Sequence, residues 1–126
     1  MNKIFNILIG FSAQTIRAGS IMLDGNLDEI EWDSAYEIND YFEISPFTLK
    51  PAEVKTITKV FSNEDGIYIG FTNFQENSSM LSNKSLRDEM DVLAEQNGVA
   101  IDFDSDESKA YMFMVTLANI KKDGIR

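Results

Sequence analysis

Four acidic residues in the C-terminal third of the chain have the types and spacing of a cation site. Asp102, Asp104, Asp106 and Glu107 follow a short apolar run, and acids at alternate positions of a strand lie on one face. Since calcium takes about six to eight oxygen ligands, the run predicts a calcium site. It departs from the Asp-x-Asp-x-Asp-Gly loop, because Glu107 replaces the glycine and Phe113 replaces the bidentate glutamate. A solvated acidic turn is the competing interpretation.

Aromatic side chains are the second group of candidate functional residues. A sugar ring packs its apolar side on an aromatic face, while planar polar groups bond its hydroxyls. Tyr68, Phe74 and Tyr111 are the candidates for such a platform, and packing in the core or on a strand face is the competing interpretation for each. Trp32 is expected in the core, because it ends an amphipathic turn.

Arg87 is the fourth candidate ligand-binding residue. Its guanidinium is expected to clamp a carboxylate, Asp88 or Asp102, and so to fix a long polar loop. This role is structural unless a ligand competes for the guanidinium.

Composition excludes most conventional catalysis. The 126 residues include no Cys and no His, so Ser-His, Cys-His and imidazole-metal chemistry are excluded. A glycosidase needs only two carboxylates, but no pair is singled out here, so we expect a protein that is not an enzyme. The formal charge of -10, from 21 acidic against 11 basic residues, repels phosphates, so no nucleic-acid partner is expected.

The elements that would position these residues are short strands. The segment 21–32 predicts a strand, a turn shaped by Asp24, and one or two helical turns with Leu27, Ile30 and Trp32 on one face. Alternation predicts a hairpin of 54–61 with 67–72, in which Ile67, Ile69 and Phe71 face the core and Tyr68 faces away. A second hairpin is predicted for 99–104 with 110–117. The set favours an all-β fold, an antiparallel β-sandwich of immunoglobulin or jelly-roll-like type.

Between these strands the sequence predicts connections. Residues 41–44 form a short strand, and 45–51, with both prolines, an exposed connection. Residues 73–97 are expected to be a long loop with a short helical turn at 86–90, and 119–124 a turn.

The N-terminus has two interpretations. Lys3 followed by the apolar residues 4–11 is typical of a secretory signal, although the cleavage site fits poorly; a first strand is the alternative. The domain organisation is therefore a signal peptide or leader over 1–18 and one domain over 19–126. The apolar run is too short for a transmembrane helix.

An ordered set of motifs carries a family resemblance. Residues 21–32 follow the pattern apolar-x-apolar-Asp-Gly-x-Leu-Asp-Glu-x-x-Trp, and Asp-Gly-Ile-Tyr-Ile at 65–69, Arg-Asp at 87–88, the strand at 99–104 and Ala-Tyr-Met-Phe at 110–113 follow in order. The set resembles the carbohydrate-binding module family 9-like domain. The resemblance implies a β-sandwich, non-catalytic binding of a polysaccharide, structural calcium, and a place beside secreted glycanases or at the front of bacterial envelope proteins.

The chain departs from that family in three respects. The family's sugar platform is a pair of tryptophans, and this chain has one Trp. The segment between Arg87-Asp88 and the next strand is longer than in many relatives. Residues 119–124 resemble a turn that leads into further strands, so we expect a sandwich that is incomplete at the C-terminus and a chain that is a fragment of a larger parent protein.

Three functions follow as expectations. The first is a polysaccharide-binding module of carbohydrate catabolism, secreted or in the periplasm or outer membrane of a bacterium. The second is a structural or interaction headpiece of an envelope protein without sugar binding. The third is a haem-binding sandwich domain, in which the ligands would come from a set of methionines, Met80, Met90, Met112 and Met114.

Overall fold

The computed structural model describes residues 21–76, 80–89, 93–105 and 107–126. The predicted leader at 1–18 lies outside these residues, as do Asp106 and Met90. The described elements are a short 3-10 helix and strands β1 to β8, in the order Ile30–Ser34, Tyr36–Ile38, Phe42–Ile44, Phe47–Pro51, Lys55–Asn63, Gly66–Phe74, Gln96–Ile101, Tyr111–Thr116 and Lys121–Ile125.

The strands form three antiparallel sheets, ordered β1-β4-β5, β2-β3 and β6-β7-β8. This confirms the all-β, antiparallel, sandwich-like fold class. The chain divides into two compact units. The described residues of the first are 21–41 and 52–74, and those of the second are 42–51 and the described residues from 75 onward. No helix of the described segments is long and apolar enough to cross a membrane.

The first unit is built on the predicted hairpin, which the structure confirms. β4 and β5 pair from Lys55 with Phe74 to Asn63 with Gly66. Asn63 closes the turn, because its side-chain oxygen accepts hydrogen bonds from the backbone N–H groups of Asp65 at 2.8 Å and Gly66 at 3.1 Å. The turn chemistry of the sequence thus sets the register of the sheet.

β4 is covered on both faces. On one face Trp32 packs edge-on against Phe61 at 4.8 Å between ring centroids, and Phe61 stacks on Tyr68 at 4.9 Å. On the other face Thr58 is fully buried and shares a hydrogen bond with the Tyr41 hydroxyl. Burial raises the pKa of that hydroxyl. Trp32 is buried, which confirms its predicted place in the core.

Two predictions for the first unit are corrected by the structure, one in its N-terminal segment and one in β5. The helical turn begins only at Ile30, whose side chain is 77% exposed, so Ile30 does not share the face of Trp32. In β5, Ile67 is exposed and Tyr68 is half-buried with its ring stacked on Phe61, contrary to the prediction. Ile69 and Phe71 are half-buried. The alternation was correct, but both faces of this sheet are covered, so alternation did not identify the buried side. Asp24 shapes its turn as predicted, accepting a hydrogen bond from the Asn26 N–H at 2.8 Å.

The second unit contains the predicted C-terminal hairpin, with different bounds. β6 begins at Gln96, inside the segment predicted as loop, and ends at Ile101, so Asp102, Asp104 and Glu107 lie in the turn after the strand. Residues 119–124 are predicted as a turn; instead Lys121–Ile125 is strand β8, paired with β7. The exposed connection predicted at 45–51 is also partly wrong, because Phe47–Pro51 pairs with β2 as a hairpin whose second strand is fully exposed.

Candidate functional site

The sheet β6-β7-β8 carries an exposed apolar face. Alternate side chains of β7 point to opposite sides: Tyr111, Phe113 and Val115 are exposed, whereas Thr116 on the other side is buried. Cross-strand pairs share a face, so the register extends this surface onto both neighbours. We call it the open face; it consists of three β7 residues, Tyr111, Phe113 and Val115, and the residues paired with them, Asn97, Val99, Ile101, Lys121, Asp123 and Ile125.

Phe103 extends the open face at the Tyr111 end. It follows β6 in the turn, and its ring centroid lies 5.5 Å from that of Tyr111, with the two planes at 58°. The exposed fractions of Phe103, Tyr111 and Phe113 are 58%, 36% and 46%. Three neighbouring rings therefore present surface to solvent, although only Tyr111 among them was a predicted site residue.

The turn at residues 86–89 brings a planar polar group to this face. Arg87 forms an ion pair with Asp88, Nε to Oδ2 at 3.2 Å, and a second ion pair through Nη2 with Asp123. Asp123 is paired with Phe113 in the β7-β8 register, which places their Cβ atoms about 5 Å apart. The guanidinium is thus bound to the carboxylate that neighbours Phe113 across the two strands. Asp88 is one of the two predicted partners of Arg87, and Asp123 was missed.

Backbone hydrogen bonds fix the same turn to the edge of β8. The Asp88 N–H donates to the Lys121 carbonyl at 3.4 Å, and the Asp123 N–H donates to Asp88 Oδ1 at 2.9 Å. Within the turn, the Leu86 N–H donates to Glu89 Oε2 at 3.0 Å. The helical turn predicted at 86–90 is replaced by this turn, in which Asp88 has a left-handed φ of 61°. The contacts position the guanidinium more than they stabilise the fold, because exposed ion pairs contribute little free energy.

The acidic turn after β6 is organised by one carboxylate. Asp102 Oδ1 accepts hydrogen bonds from the N–H groups of Asp104 at 3.1 Å and Ser105 at 2.8 Å, and Oδ2 accepts one from Glu107 at 2.8 Å. Asp104 and Glu107 are exposed. The described residues contain no group of three or more Asp, Glu, His or Cys side chains placed to hold a metal ion, and Asp106 lies outside them. The predicted calcium site stays a prediction.

The other two predicted aromatic residues lie in the first unit. Tyr68 is half-buried, with one ring face stacked on Phe61. Phe74 is exposed at the end of β5, and the Lys55 ammonium lies 5.1 Å from its ring centroid. Of the four predicted ligand-binding residues, Arg87 and Tyr111 thus belong to the same unit, Tyr111 in β7 and Arg87 ion-paired to Asp123 in the neighbouring strand β8. Phe113 lies two residues after Tyr111 in the strand predicted at 110–117, so alternation alone places both rings on one face. Asp123 could have been found only by recognising β8, whose Lys-Lys-Asp-Gly sequence has the composition of a turn.

The methionines of the haem hypothesis are partly described. Met112 and Met114 are half-buried on the side of the sheet opposite the open face, and Met80 is half-buried before the 86–89 turn. Met90 lies outside the described residues. The haem hypothesis stays untested by these positions.

Comparisons with protein-family models, with curated proteins and with solved structures found no match for this chain.

Proposed function

We propose that this chain is a non-catalytic carbohydrate-binding module that holds a polysaccharide on the open face. The observation that carries the proposal is the row of exposed rings Phe103, Tyr111 and Phe113 beside the Arg87–Asp123 ion pair. Exposed aromatic surface next to planar hydrogen-bonding groups is the chemistry by which proteins bind sugars. The resemblance of the sequence to the family 9-like domain supports the same function, together with export to the bacterial envelope or the medium.

Each component of the face has a role in this proposal. The aromatic rings cover the C–H faces of sugar residues. Asp123 accepts hydrogen bonds from hydroxyl groups, and Arg87 donates them, in the plane of its guanidinium. The acidic turn around Asp102 holds Phe103 at the end of the row. If calcium binds there, as the resemblance implies, it would act on the position of Phe103 and not on the sugar directly.

A thermal melt against a panel of soluble plant and bacterial glycans, with calcium present, tests the proposal. A ligand at about a hundredfold over its dissociation constant adds about 2.7 kcal/mol, which shifts the midpoint of a domain this size by several degrees. A shift with one glycan that is lost in Tyr111→Ala supports the proposal. A cooperative melt that no glycan shifts contradicts it.

A second candidate, an interaction module without sugar binding, is favoured by the β2-β3 hairpin. Its large apolar side chains are exposed, and an isolated two-stranded hairpin is only marginally stable in water. The exposed residues are Phe42, Ile44, Phe47 and Leu49. This candidate predicts cosedimentation with a bacterial envelope fraction that is lost in Phe47→Ser and kept in Tyr111→Ala. Equal cosedimentation of both variants would contradict it.

A further inference from the structure

Resting on the proposed function, the geometry points to a narrower ligand: an internal, extended stretch of an uncharged polysaccharide, laid along β7. The alternatives are a chain end, a crystalline polysaccharide surface and an acidic glycan. Each of the three is disfavoured by a separate feature of the open face.

The first feature is the direction of the aromatic row. Tyr111 and Phe113 are two residues apart on one strand, so their Cβ atoms are about 7 Å apart along it. Phe103 lies beyond Tyr111 at one end, and Val115 continues the exposed row at the other. A ligand that covers this row is several sugar residues long and lies parallel to the strand.

The position of the polar groups distinguishes an internal stretch from a chain end. Recognition of an end requires polar groups that bond the terminal residue where the chain stops. Here the Arg87–Asp123 pair flanks Phe113, within the row, since Asp123 is the cross-strand neighbour of that ring. Polar groups beside the row bond the hydroxyls along one edge of a chain that continues in both directions.

The ring planes distinguish a single chain from a crystalline surface. Phe103 and Tyr111 are inclined at 58° to each other, so the two rings cannot both lie flat against one plane. A free chain can twist between successive residues and present a face to each ring. A crystal surface cannot.

The charges on the open face favour an uncharged chain. Arg87 is paired with two carboxylates, Asp88 and Asp123. Together with Lys121, which shares the face through its pairing with Val115, the four groups sum to zero formal charge. The acids of the Asp102 turn lie at the Phe103 end, where they repel carboxylated sugars.

The test uses neutral linear oligosaccharides of β-linked glucose, xylose and mannose, each as the disaccharide and as the hexasaccharide. A second sample of each has its reducing end converted to the alditol by borohydride. Titration calorimetry of the full chain gives the affinities. The hexasaccharide of the preferred sugar is expected to bind at least about tenfold more tightly than its disaccharide, which corresponds to about 1.4 kcal/mol. Borohydride reduction is expected to change the hexasaccharide affinity by less than about twofold, since a factor of two is well below that difference.

Two variants show whether the row is the site. Phe113→Leu keeps an apolar side chain on the strand but removes the ring face, and is expected to weaken hexasaccharide binding about tenfold, or about 1.4 kcal/mol. Phe47→Leu makes the same change at an exposed ring outside the open face and is expected to leave the affinity unchanged. Equal affinities of the two variants would overturn the assignment.

The outcomes separate the inference from the function it rests on. Three outcomes would overturn the assignment of an internal, uncharged chain and leave carbohydrate binding in place. They are loss of binding when the reducing end is reduced, binding to crystalline cellulose as strong as to soluble chains, and tighter binding of polygalacturonate than of neutral chains. Absence of binding to every glycan, by a protein that melts cooperatively, would overturn both.

Discussion

Arg87 and Asp123 are 36 residues apart in the chain and form an ion pair at the edge of the β6-β7-β8 sheet. The pair joins a turn without regular structure to the last strand, and it holds the guanidinium at the cross-strand neighbour of Phe113. Neither residue is buried, with side chains 64% and 51% exposed. The pair therefore remains accessible to a ligand while its geometry is already formed in the free protein, which lowers the entropic cost of binding.

Replacing Arg87 should affect ligand binding more than folding. In Arg87→Ala we expect a loss of less than about 1 kcal/mol in the free energy of unfolding, because exposed ion pairs contribute little. Glycan affinity should fall about tenfold, since a charge-assisted hydrogen bond is worth about 1.5–3 kcal/mol. Denaturant titration and calorimetry measure the two effects. Arg126→Ala removes another cation of the same unit as a control, and an Arg87→Ala affinity equal to that of this control would contradict the expected role.

Glu29 should make the stability of the first unit depend on acid pH. Its carboxylate accepts hydrogen bonds from the Met22 backbone N–H at 2.8 Å and from the Trp32 indole N–H at 2.9 Å. The Met22 bond is the largest cause that holds the pKa of Glu29 below its ordinary value, and the indole bond adds to it. Because the folded pKa is lowered, this stabilisation is present above the unfolded pKa of about 4.3 and is lost as the pH falls through the folded value.

The measurement is the melting midpoint at a series of pH values between about pH 6 and pH 3, with Trp32 fluorescence as the signal of unfolding. The wild-type midpoint should exceed that of Glu29→Gln at the upper end, and the difference should shrink on acidification. Asp24, whose pKa is lowered chiefly by the Asn26 backbone N–H, titrates in both proteins, so most of its contribution is removed by the comparison. The remainder comes from its repulsion of Glu29, which raises the pKa of Glu29 and so opposes the expected difference. If the difference in melting midpoint between the two proteins does not change with pH, the Glu29 carboxylate is not the source of the pH dependence.

Gly70 should not tolerate a methyl group. A Cβ at this position would lie 2.7 Å from Leu27 Cδ2 and 3.1 Å from Trp32 Cη2, so Leu27 must move and the Trp32 ring is crowded. We expect Gly70→Ala to cost about 1–3 kcal/mol of unfolding free energy, the range typical of overpacking. Gly124→Ala is the matched control in a strand, since no atom lies within 4 Å of its added Cβ. Equal stabilities of the two variants would show that Leu27 does not pack over Gly70.

The stability of the turn after β6 should depend on the Asp102 carboxylate. Asp102→Ala removes the acceptor of three backbone N–H groups of the turn. Because these groups are exposed and water can replace the carboxylate, the change is expected to cost about 0.5–1.5 kcal/mol, together with a loss of affinity through Phe103. The calcium prediction is tested on the wild type: removal of calcium with a chelator lowers the melting midpoint if the acids hold the ion. An unchanged melt would contradict that prediction.

The fold could be predicted to the extent that local patterns determine it. The β4-β5 hairpin follows from alternation on both sides of an Asn-Glu-Asp-Gly turn, and its bounds were nearly correct. β8 and the β2-β3 hairpin were not predicted, because Lys121–Ile125 is polar and Phe47–Pro51 contains a proline, so each is a strand only through its pairing with a neighbour. The open face extends onto β8, and for this reason Asp123 was missed while Tyr111 and Arg87 were found.

The most direct test of carbohydrate binding on the open face is titration of the double variant Tyr111→Ala/Phe113→Ala against the glycan that shifts the wild-type melt. Phe74→Ala is the control, an exposed aromatic residue of the other unit. We expect the double variant to melt cooperatively and to lose at least about 2 kcal/mol of binding free energy, a factor of about thirty in the dissociation constant, while Phe74→Ala binds as the wild type does. Full affinity in the double variant, or its loss in Phe74→Ala alone, would contradict the account and move the site away from this sheet.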